Sequence, residues 1–196
     1  MKILSAEQIR ALDKYTIEHE PISSYDLMER AARACYNYLP IDDFFSPTTV
    51  YVCGKGNNGG DGLAMARLHS QEEQLDDILV ILIEHTSEGS PDFAHNLYLL
   101  EEEDKVSIVR VKEIEDFPEL DEGALIVDAI LGTGLSRPLE GLLASVVVLI
   151  NCLDNRVVSV DMPTGLFAED NSENDMGHVI WADETLTFHC PKMSML

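Results

Sequence analysis

Residues 54–62 form a glycine-rich segment whose composition suits the binding of a phosphate group. Gly54, Gly56 and Gly59 have the G-x-G-x-x-G spacing, directly after an apolar run and directly before a helical pattern. Glycine permits close approach to the backbone, and the free N–H groups at a helix start attract an anion. The segment therefore predicts a phosphate-bearing ligand, in the first place a nicotinamide nucleotide; the alternative is a tight turn that binds nothing.

Aspartates end two buried apolar runs, and a third lies within the glycine-rich segment. Asp128 ends the run 123–128, Asp161 ends the run 157–161, and Asp61 precedes the last glycine of the segment. Because ligands of open α/β sheets bind beyond the carboxyl ends of the strands, we expect these side chains to face one edge. Carboxylates that share an edge raise one another's pKa values or recruit a cation, whereas each aspartate alone could cap a helix or make a turn.

The loop 132–138 carries one arginine. Arg137 is the predicted partner of a phosphate, and a surface ion pair explains it equally well. Lys55 could also contact a phosphate, although a solvated lysine is the simpler interpretation. Glu84 ends the apolar run 77–84 and could bind a ribose hydroxyl, as the acid does in dinucleotide-dependent dehydrogenases. An oxidoreductase is therefore one alternative function.

The composition restricts how an anion can be bound. The chain carries 13 Lys+Arg against 36 Asp+Glu, which gives a formal net charge of -23. Nucleic acids and acidic membrane surfaces are unsuitable partners, because they require basic protein surface. With so few basic side chains, an anionic ligand must be held by backbone N–H groups, by helix N-termini or through a bound cation.

The 4 cysteines and 6 histidines have no spacing typical of a zinc site or a disulfide framework. We therefore expect the histidines to be structural or exposed, and Trp181 and Tyr25 to pack in the core. The first residues lack the apolar region of a signal peptide, and no apolar run approaches the roughly 20 residues of a membrane span. These features predict a reducing, cytoplasmic location.

Periodicity places the polar residues on alternating strands and helices. Apolar runs predict strands at 48–53, 77–84, 106–111, 123–128 and 157–161, with short candidates at 178–181 and 184–188. Helical spacing predicts helices at 6–18, 25–39, 61–70, 91–102 and 139–151. Ser5 and Ser24 are the predicted N-caps of the first two. The chain of 196 residues predicts one α/β domain, with a helical hairpin at 1–40 and a mostly parallel sheet, covered on both faces, at 48–190.

Taken in order, several segments resemble the NAD(P)H-hydrate epimerases, also known as the YjeF N-terminal domain family. The similar segments extend over nearly the whole chain, at 8–13, 27–31, 54–62, 127–129, 132–138 with Gly141, 160–166, 182–188 and 191–192. Each segment alone is modest, whereas their order and spacing together are specific. One departure is visible: the family turn often reads Pro-Ser-Gly, and here Thr164 stands in the middle and keeps the hydroxyl.

The resemblance implies a Rossmann-like three-layer α/β/α sandwich. It also implies an isomerase that interconverts the R and S hydrates of NADH or NADPH, a repair reaction. A homodimer is implied as well, with contact through the N-terminal helices. In many relatives the domain is fused to an ADP- or ATP-dependent dehydratase, so we expect the apolar residues 191–196 to be the junction with such a domain, which would lie outside this chain. A packed terminus is the alternative.

The resemblance further implies which residues bind. The nucleotide would contact Asn57, Asn58, Gly59, Gly60, Asp61, Gly132, Thr133, Gly134, Leu135, Ser136, Arg137, Pro138 and Asp161. A potassium ion would be held by Asn58, Asp128 and Thr164, whose amide, carboxylate and hydroxyl oxygens suit a hard cation. Such an ion would offset phosphate charge in a strongly acidic chain.

The implied reaction must break and re-form the C6–O bond of the hydrate. Loss of hydroxide is assisted by the lone pair of the ring nitrogen and by an acid. Asp161 is the predicted catalytic residue and Asp61 the second choice, because burial beside another carboxylate raises a pKa toward neutrality. Two other functions stay open: an NAD(P)-dependent oxidoreductase that uses Glu84, and a non-catalytic nucleotide- or partner-binding domain.

Overall fold

The computed structural model describes residues 2–41, 48–72, 77–103 and 105–196. Its helices are α1 (Ala6–His19), α2 (Ser24–Tyr36), α3 (Asn57–Ser70), α4 (Pro91–Glu101) and α5 (Gly141–Asn151). Its strands are β1 (Thr48–Cys53), β2 (Asp77–Ile83), β3 (Ser107–Val111), β4 (Leu125–Ala129), β5 (Val157–Val160) and β6 (Glu184–Leu186). Short 3-10 helices lie at Ile114–Asp116, Met176–His178 and Met193–Met195. The predicted α/β class is confirmed.

The strands form one sheet in the order β3-β2-β1-β4-β5-β6, and every neighbouring pair is parallel. The chain places β2 and β3 on one side of β1, and then β4, β5 and β6 on the other side. The strand order therefore reverses between β1 and β4, and a crevice opens outside the carboxyl ends of strands at such a switch point. Cys53 pairs with Ala129, so the loops that follow β1 and β4 begin side by side.

Helices cover both faces of the sheet, as expected for buried parallel strands. On one face, residues of α2, α3 and α4 pack with inward side chains of β1 such as Tyr51 and Cys53. On the other face, α5 packs against Val50 and Val52 of the same strand. The alternation along β1 thus supplies two cores, which gives the predicted three-layer arrangement. None of the helices in the described residues combines the length and apolarity needed to cross a membrane.

The start of α3 differs from the prediction in a way that changes the site. The helix predicted at 61–70 begins at Asn57, with Gly56 as its N-cap. Much of the predicted loop is therefore the first helical turn. A smaller correction applies to α2, whose N-cap is Ser23 rather than Ser24: the Ser23 side chain accepts the N–H of Asp26.

The strand predicted at 178–181 is wrong. Part of it lies in the 3-10 helix Met176–His178, and the residues that follow hydrogen-bond to a turn and a helix end instead of a strand. The N–H of Ile180 donates to the Thr164 carbonyl at 2.8 Å, and the N–H of Trp181 donates to Asn151 Oδ1 at 2.9 Å. The candidate at 184–188 is confirmed as β6, the edge strand beside β5.

Candidate functional site

A cavity of about 460 Å³ lies beyond the carboxyl ends of β1, β4 and β5. Its walls are the first turn of α3, the loop after β4, the residue after β5, the segment after β6 and one side of α1. Most of the predicted nucleotide-binding residues line it, namely Asn57, Asn58, Asp61, Gly132, Thr133, Gly134, Leu135 and Asp161. Segments far apart in the sequence therefore meet at the switch point of the sheet.

The first turn of α3 is suited to bind an anion. Gly56, Asn57 and Asn58 line the cavity. No side chain of the described residues caps the helix, and its first turn contains no acidic residue. The first N–H groups of a helix have no partner within the helix, and together with the helix dipole they attract negative charge. The turn can therefore hold a phosphate without a basic side chain.

Most glycines of this segment serve packing inside the protein. A Cβ added to Gly54 would lie 2.1 Å from the Ile130 carbonyl oxygen, and one added to Gly59 would lie 1.7 Å from the carbonyl oxygen of Gly54. A Cβ added to Gly60 would lie 2.9 Å from the Met28 sulfur. Gly59 and Gly60 lie outside the residues that line the cavity, so their side-chain-free surfaces bring α3 close to its neighbours.

Only the first part of the loop 132–138 reaches the cavity. Ser136, Arg137 and Pro138 are exposed and lie outside the described residues that line it. The phosphate contact of Arg137 stays a prediction. The arginine that lines the cavity is Arg10 of α1, which sequence reasoning missed because α1 carries no ligand-binding motif.

The predicted cation ligands Asn58, Asp128 and Thr164 are all buried. Both polar side-chain atoms of Asn58 are buried and have no hydrogen-bond partner within the described residues. Asp128 and Thr164 are fully buried and joined to each other, since Thr164 Oγ1 donates to Asp128 Oδ1 at 2.6 Å. An unpartnered buried amide is costly, and this one marks a place where a ligand or an ion would be accommodated.

Asp128 is the predicted cation ligand that carries a carboxylate, and it is hydrogen-bonded within the protein. Asp128 accepts hydrogen bonds from Ile130 N–H, Ser159 Oγ, and the N–H and Oγ1 of Thr164, which occupy both of its oxygens. Burial raises its pKa, while the bonds from Thr164 and Ser159 oppose that shift. Asn58 would supply a free oxygen and Asp128 a negative charge. Within the described residues no group of three or more His, Cys, Asp or Glu side chains is arranged to hold a metal ion.

Two acidic side chains of the cavity have raised pKa values. Asp61 is 8% exposed, and burial, with the negative charges of Asp161, Asp13 and Asp92, raises its pKa well above the usual value. Burial also raises the pKa of Asp13, and the neighbouring His189 opposes this shift. Asp61 can therefore hold a proton inside the cavity, as a general acid must.

Asp161 has the opposite environment because it is ion-paired. Its Oδ1 accepts a hydrogen bond from Lys192 Nζ at 2.7 Å, and its Oδ2 accepts the N–H of Thr133 at 3.2 Å. The residue has a φ of 65°, a left-handed conformation that is unusual outside glycine. Asp161 and Asp61 thus face one cavity in different environments, the first ion-paired with Lys192 and the second with a raised pKa.

The segment after β6 contributes residues that the sequence did not single out. Lys192 is fully buried, and Phe188 and His189 line the cavity. His189 lies 3.1 Å from Asp13 of α1. Lys192 packs into the site, and the junction expected in this segment stays a prediction. The family resemblance at 191–192 and a lysine within an otherwise apolar stretch were the available signals.

The oxidoreductase alternative requires Glu84 to bind a ribose hydroxyl, but Glu84 is already ion-paired within the protein. Both carboxylate oxygens of Glu84 are engaged, by Lys55 Nζ at 2.8 Å and by Arg110 Nη1 at 2.9 Å. The hydrogen bond from Lys55 is the main reason why the pKa of Glu84 is lowered. Lys55 is likewise paired with a protein carboxylate instead of facing the cavity, so neither residue supports a dehydrogenase-type nucleotide site.

The predictions for single aromatic and histidine residues have mixed outcomes. Trp181 is 71% exposed, so its expected place in the core is wrong. Tyr25 packs edge-on against His95, with ring centroids 4.4 Å apart. His69 is buried, as a structural histidine would be, whereas His189 lines the cavity and was not expected there.

A parallel α/β sheet covered by helices on both faces, with a crevice at its switch point, defines a Rossmann-like domain. The family described as YjeF-related protein N-terminus matches residues 24–194. The chain therefore belongs to the family of YjeF-related N-terminal domains.

The relatives agree with this assignment. A protein named NAD(P)H-hydrate epimerase from Weissella koreensis is 34% identical, over 98% of this chain and 83% of its own length. A protein named bifunctional NAD(P)H-hydrate repair enzyme Nnr from Salinibacter ruber is 36% identical, over 98% of this chain, and the chain spans 37% of the length of that relative. The crystal structure of the yeast protein ynu0, YNL200c, has the same fold, with a TM-score of 0.74 and 22% identity over 100% of this chain and 83% of the yeast chain.

Proposed function

We propose that this chain is an NAD(P)H-hydrate epimerase, an isomerase that interconverts the R and S hydrates of NADH and NADPH. Relatives of that name over most of their length support the proposal. The observation that carries it is one cavity that holds both Asp161, which is ion-paired with Lys192, and Asp61, whose pKa burial raises, beside the start of α3. Breaking and re-forming a C–O bond needs such an acid and such a carboxylate.

In the proposed complex, a phosphate of the substrate binds to the first turn of α3. Asn57 and Asn58 supply helix N–H groups there, and Gly132 to Leu135 form the opposite wall. The hydrated ring would lie toward Asp61 and Asp161. Of the predicted contacts, Gly59 and Gly60 could act only through their backbone, and Arg137 only after the loop moves. Arg10 is the better-placed basic side chain.

The proposed reaction divides the work between the two aspartates. The C6–O bond breaks and its electron pair leaves with the oxygen, which takes the proton of the Asp61 carboxyl group and departs as water. The lone pair of the ring nitrogen forms a C=N bond, and the Asp161 carboxylate stabilises the resulting cation. Water then adds to the opposite face and returns a proton to Asp61. The ion pair with Lys192 is the reason for giving the role of acid to Asp61.

An assay with separated epimers tests the proposal. The R hydrate of NADH is supplied together with a separate dehydratase that consumes only the S hydrate, and NADH formation is followed by absorbance. The chain should accelerate consumption of the R hydrate far above its spontaneous rate. Hydride transfer to an added substrate without epimerisation would instead indicate an oxidoreductase, and nucleotide binding without turnover would indicate a non-catalytic domain.

Replacement of Asp161 provides a sharper version of that assay. We expect Asp161→Asn to abolish epimerisation, because an amide cannot stabilise the developing cation as a carboxylate does. Nucleotide binding, measured by calorimetry with NADH, should be largely retained, since the anion-binding turn of α3 is unaltered. Near-normal turnover in this variant would remove Asp161 from the mechanism.

We also propose a potassium ion held by Asn58, Asp128 and Thr164. When bound, it would offset the phosphate charge beside the α3 start. A ligand at 100 times its Kd adds about 2.7 kcal/mol to stability, so the protein should melt several degrees higher in potassium than in lithium. Asn58→Leu should remove the difference, whereas Thr164→Ser keeps the hydroxyl and should retain it. Equal melting temperatures of the unmodified protein in both salts would contradict the proposal.

Homodimerisation through the N-terminal helices is a further proposal, supported by exposed apolar side chains on α1, of which Tyr15 is 57% exposed. Light scattering with and without Tyr15→Glu tests it.

We propose that the chain works with an ADP- or ATP-dependent dehydratase, because the bifunctional relatives are more than twice its length. The cysteines are free, which supports the proposed cytoplasmic location.

A further inference from the structure

Lys192 is a buried cation whose hydrogen-bond donors are all used inside the protein. Its side chain is 0% exposed, and Nζ donates to Asp161 Oδ1 at 2.7 Å, to Thr187 Oγ1 at 2.7 Å and to the Phe188 carbonyl at 2.8 Å. A lysine ammonium group has three donors, so none is left for a ligand. Burying a charge is unfavourable unless it is paired and hydrogen-bonded, and Asp161 supplies the pairing charge.

Asp161 has a backbone conformation that its surroundings must maintain. A φ of 65° lies in the left-handed region, which is unfavourable for a residue with a Cβ. The Asp161 N–H donates to the Leu186 carbonyl at 2.8 Å, and Thr133 N–H donates to Oδ2 from the loop after β4. Lys192 holds Oδ1, so two segments far apart in the sequence hold the two oxygens of the carboxylate.

Lys192 also distinguishes Asp161 from the other acids of the cavity. Asp13, Asp61 and Asp161 line the same space, together with Arg10 and His189. His189 contacts Asp13, and Lys192 contacts Asp161. These two contacts engage Asp13 and Asp161, and they leave Asp61 without a basic contact among the described ion pairs. This placement gives the aspartates different roles in the same cavity.

We propose that Lys192 is the positioning residue of this site, which holds the Asp161 carboxylate with Oδ2 toward the cavity and does not itself contact the substrate. Its role in turnover rests on the proposed epimerase function, whereas its effect on the position of Asp161 does not. Thr187 assists by holding Nζ at 2.7 Å. The segment after β6 is then part of the active site.

The kinetic test compares Lys192→Met and Thr187→Val with the control Lys112→Met, an exposed lysine after the distant strand β3. A misplaced catalytic group costs about 100-fold in rate, so Lys192→Met should lower kcat by about that factor and leave KM for the hydrate nearly unchanged. Thr187→Val removes one hydrogen bond and should lower kcat by up to roughly tenfold. A raised KM with unchanged kcat, or unchanged kinetics, would overturn the proposal. The control should match the unmodified protein.

A crystal structure of Lys192→Met supplies a measurement that does not depend on activity. We expect Asp161 to leave the left-handed region and to lose the contact of Oδ2 with the Thr133 N–H. An unmoved Asp161 would overturn the proposal. If Lys192→Met does not fold, the same two measurements on Thr187→Val decide. If the unmodified protein shows no epimerisation while Asp161 moves in the variant, the proposed function fails and the positioning role stands.

Discussion

Asp161 keeps its position through close contacts on several sides, and one of them is a glycine. A Cβ added to Gly132 would lie 2.8 Å from Asp161 Oδ2 and 3.3 Å from Asn58 Oδ1. The loop after β4 can therefore approach the carboxylate only because Gly132 has no side chain. At the scale of single residues, this glycine sets the distance between Asp161, Asn58 and the N–H of Thr133.

Gly132→Ala tests that spacing. The added methyl group must displace Asp161 or the loop, so we expect kcat for epimerisation to fall tenfold or more, in the range that misplaced groups cause. The melting temperature should change little, since the cavity can accommodate a small shift. The coupled assay with the R hydrate measures the effect, with Gly177→Ala, in the 3-10 helix Met176–His178, as the control. Unchanged kcat would show that Asp161 tolerates the displacement.

At the scale of elements, the site depends on how closely α3 lies to β1 and β4. Gly62 would place a Cβ 2.5 Å from the Ala129 Cβ and 2.8 Å from the Cys53 sulfur, so even alanine is too large there. Gly59, within the helix, likewise packs closely on Gly54 in the turn before it. Close packing aims the start of α3 at the crevice between the two strands, which is where a phosphate would bind.

Alanine substitutions separate this packing role from the ligand role. Gly59→Ala should destabilise the protein by about 3 kcal/mol, the upper range for overpacking, because its Cβ would meet the Gly54 carbonyl oxygen. Gly56→Ala has no atom within 4 Å of the added Cβ, so it should cost about 1 kcal/mol or less, the effect of alanine at the N-cap. Urea denaturation measures both. Similar losses for the two variants would contradict the packing explanation.

For the whole molecule, the acidic composition has a consequence for stability. A carboxyl group whose pKa is raised by folding stabilises the folded state below the unfolded pKa of about 4, and this contribution is lost as the pH rises through the raised value. Asp61 and Asp128 are of this kind. Asp116 is the reverse case, since the N–H groups of Lys112 and Glu113 lower its pKa.

The free energy of unfolding, measured as a function of pH, tests the sign of these contributions to stability. Asp61→Asn should be more stable than the unmodified protein at pH 8, and this gain should shrink as the pH falls to 4, because the amide stays neutral. Asp116→Asn should behave oppositely and lose stability at neutral pH, with the loss vanishing at low pH. Urea denaturation at both pH values gives the free energies of unfolding. A gain for Asp61→Asn that does not grow with pH would contradict the raised pKa.

The local patterns determined much of the fold. Apolar β-branched runs and helical spacing depend on neighbours in the sequence, so they placed most strands and helices correctly, and Ser5 caps α1 as predicted. The strand predicted at 178–181 was wrong because the hydrogen-bond partners of this segment, Thr164 and Asn151, lie elsewhere in the chain. The start of α3 was misplaced because glycines discourage a helix locally, whereas here they permit its close packing.

By itself, the sequence determined the parallel α/β fold, the glycine-rich segment, the acids at the strand ends and, through their order, the family. Only the tertiary structure decided that Lys192 pairs with Asp161, that burial raises the pKa of Asp61, and that Arg10 rather than Arg137 lines the cavity. The physical reason is that charge state and orientation depend on burial and on the nearest partner in space. For Asp161, that partner comes from a segment beyond the next strand.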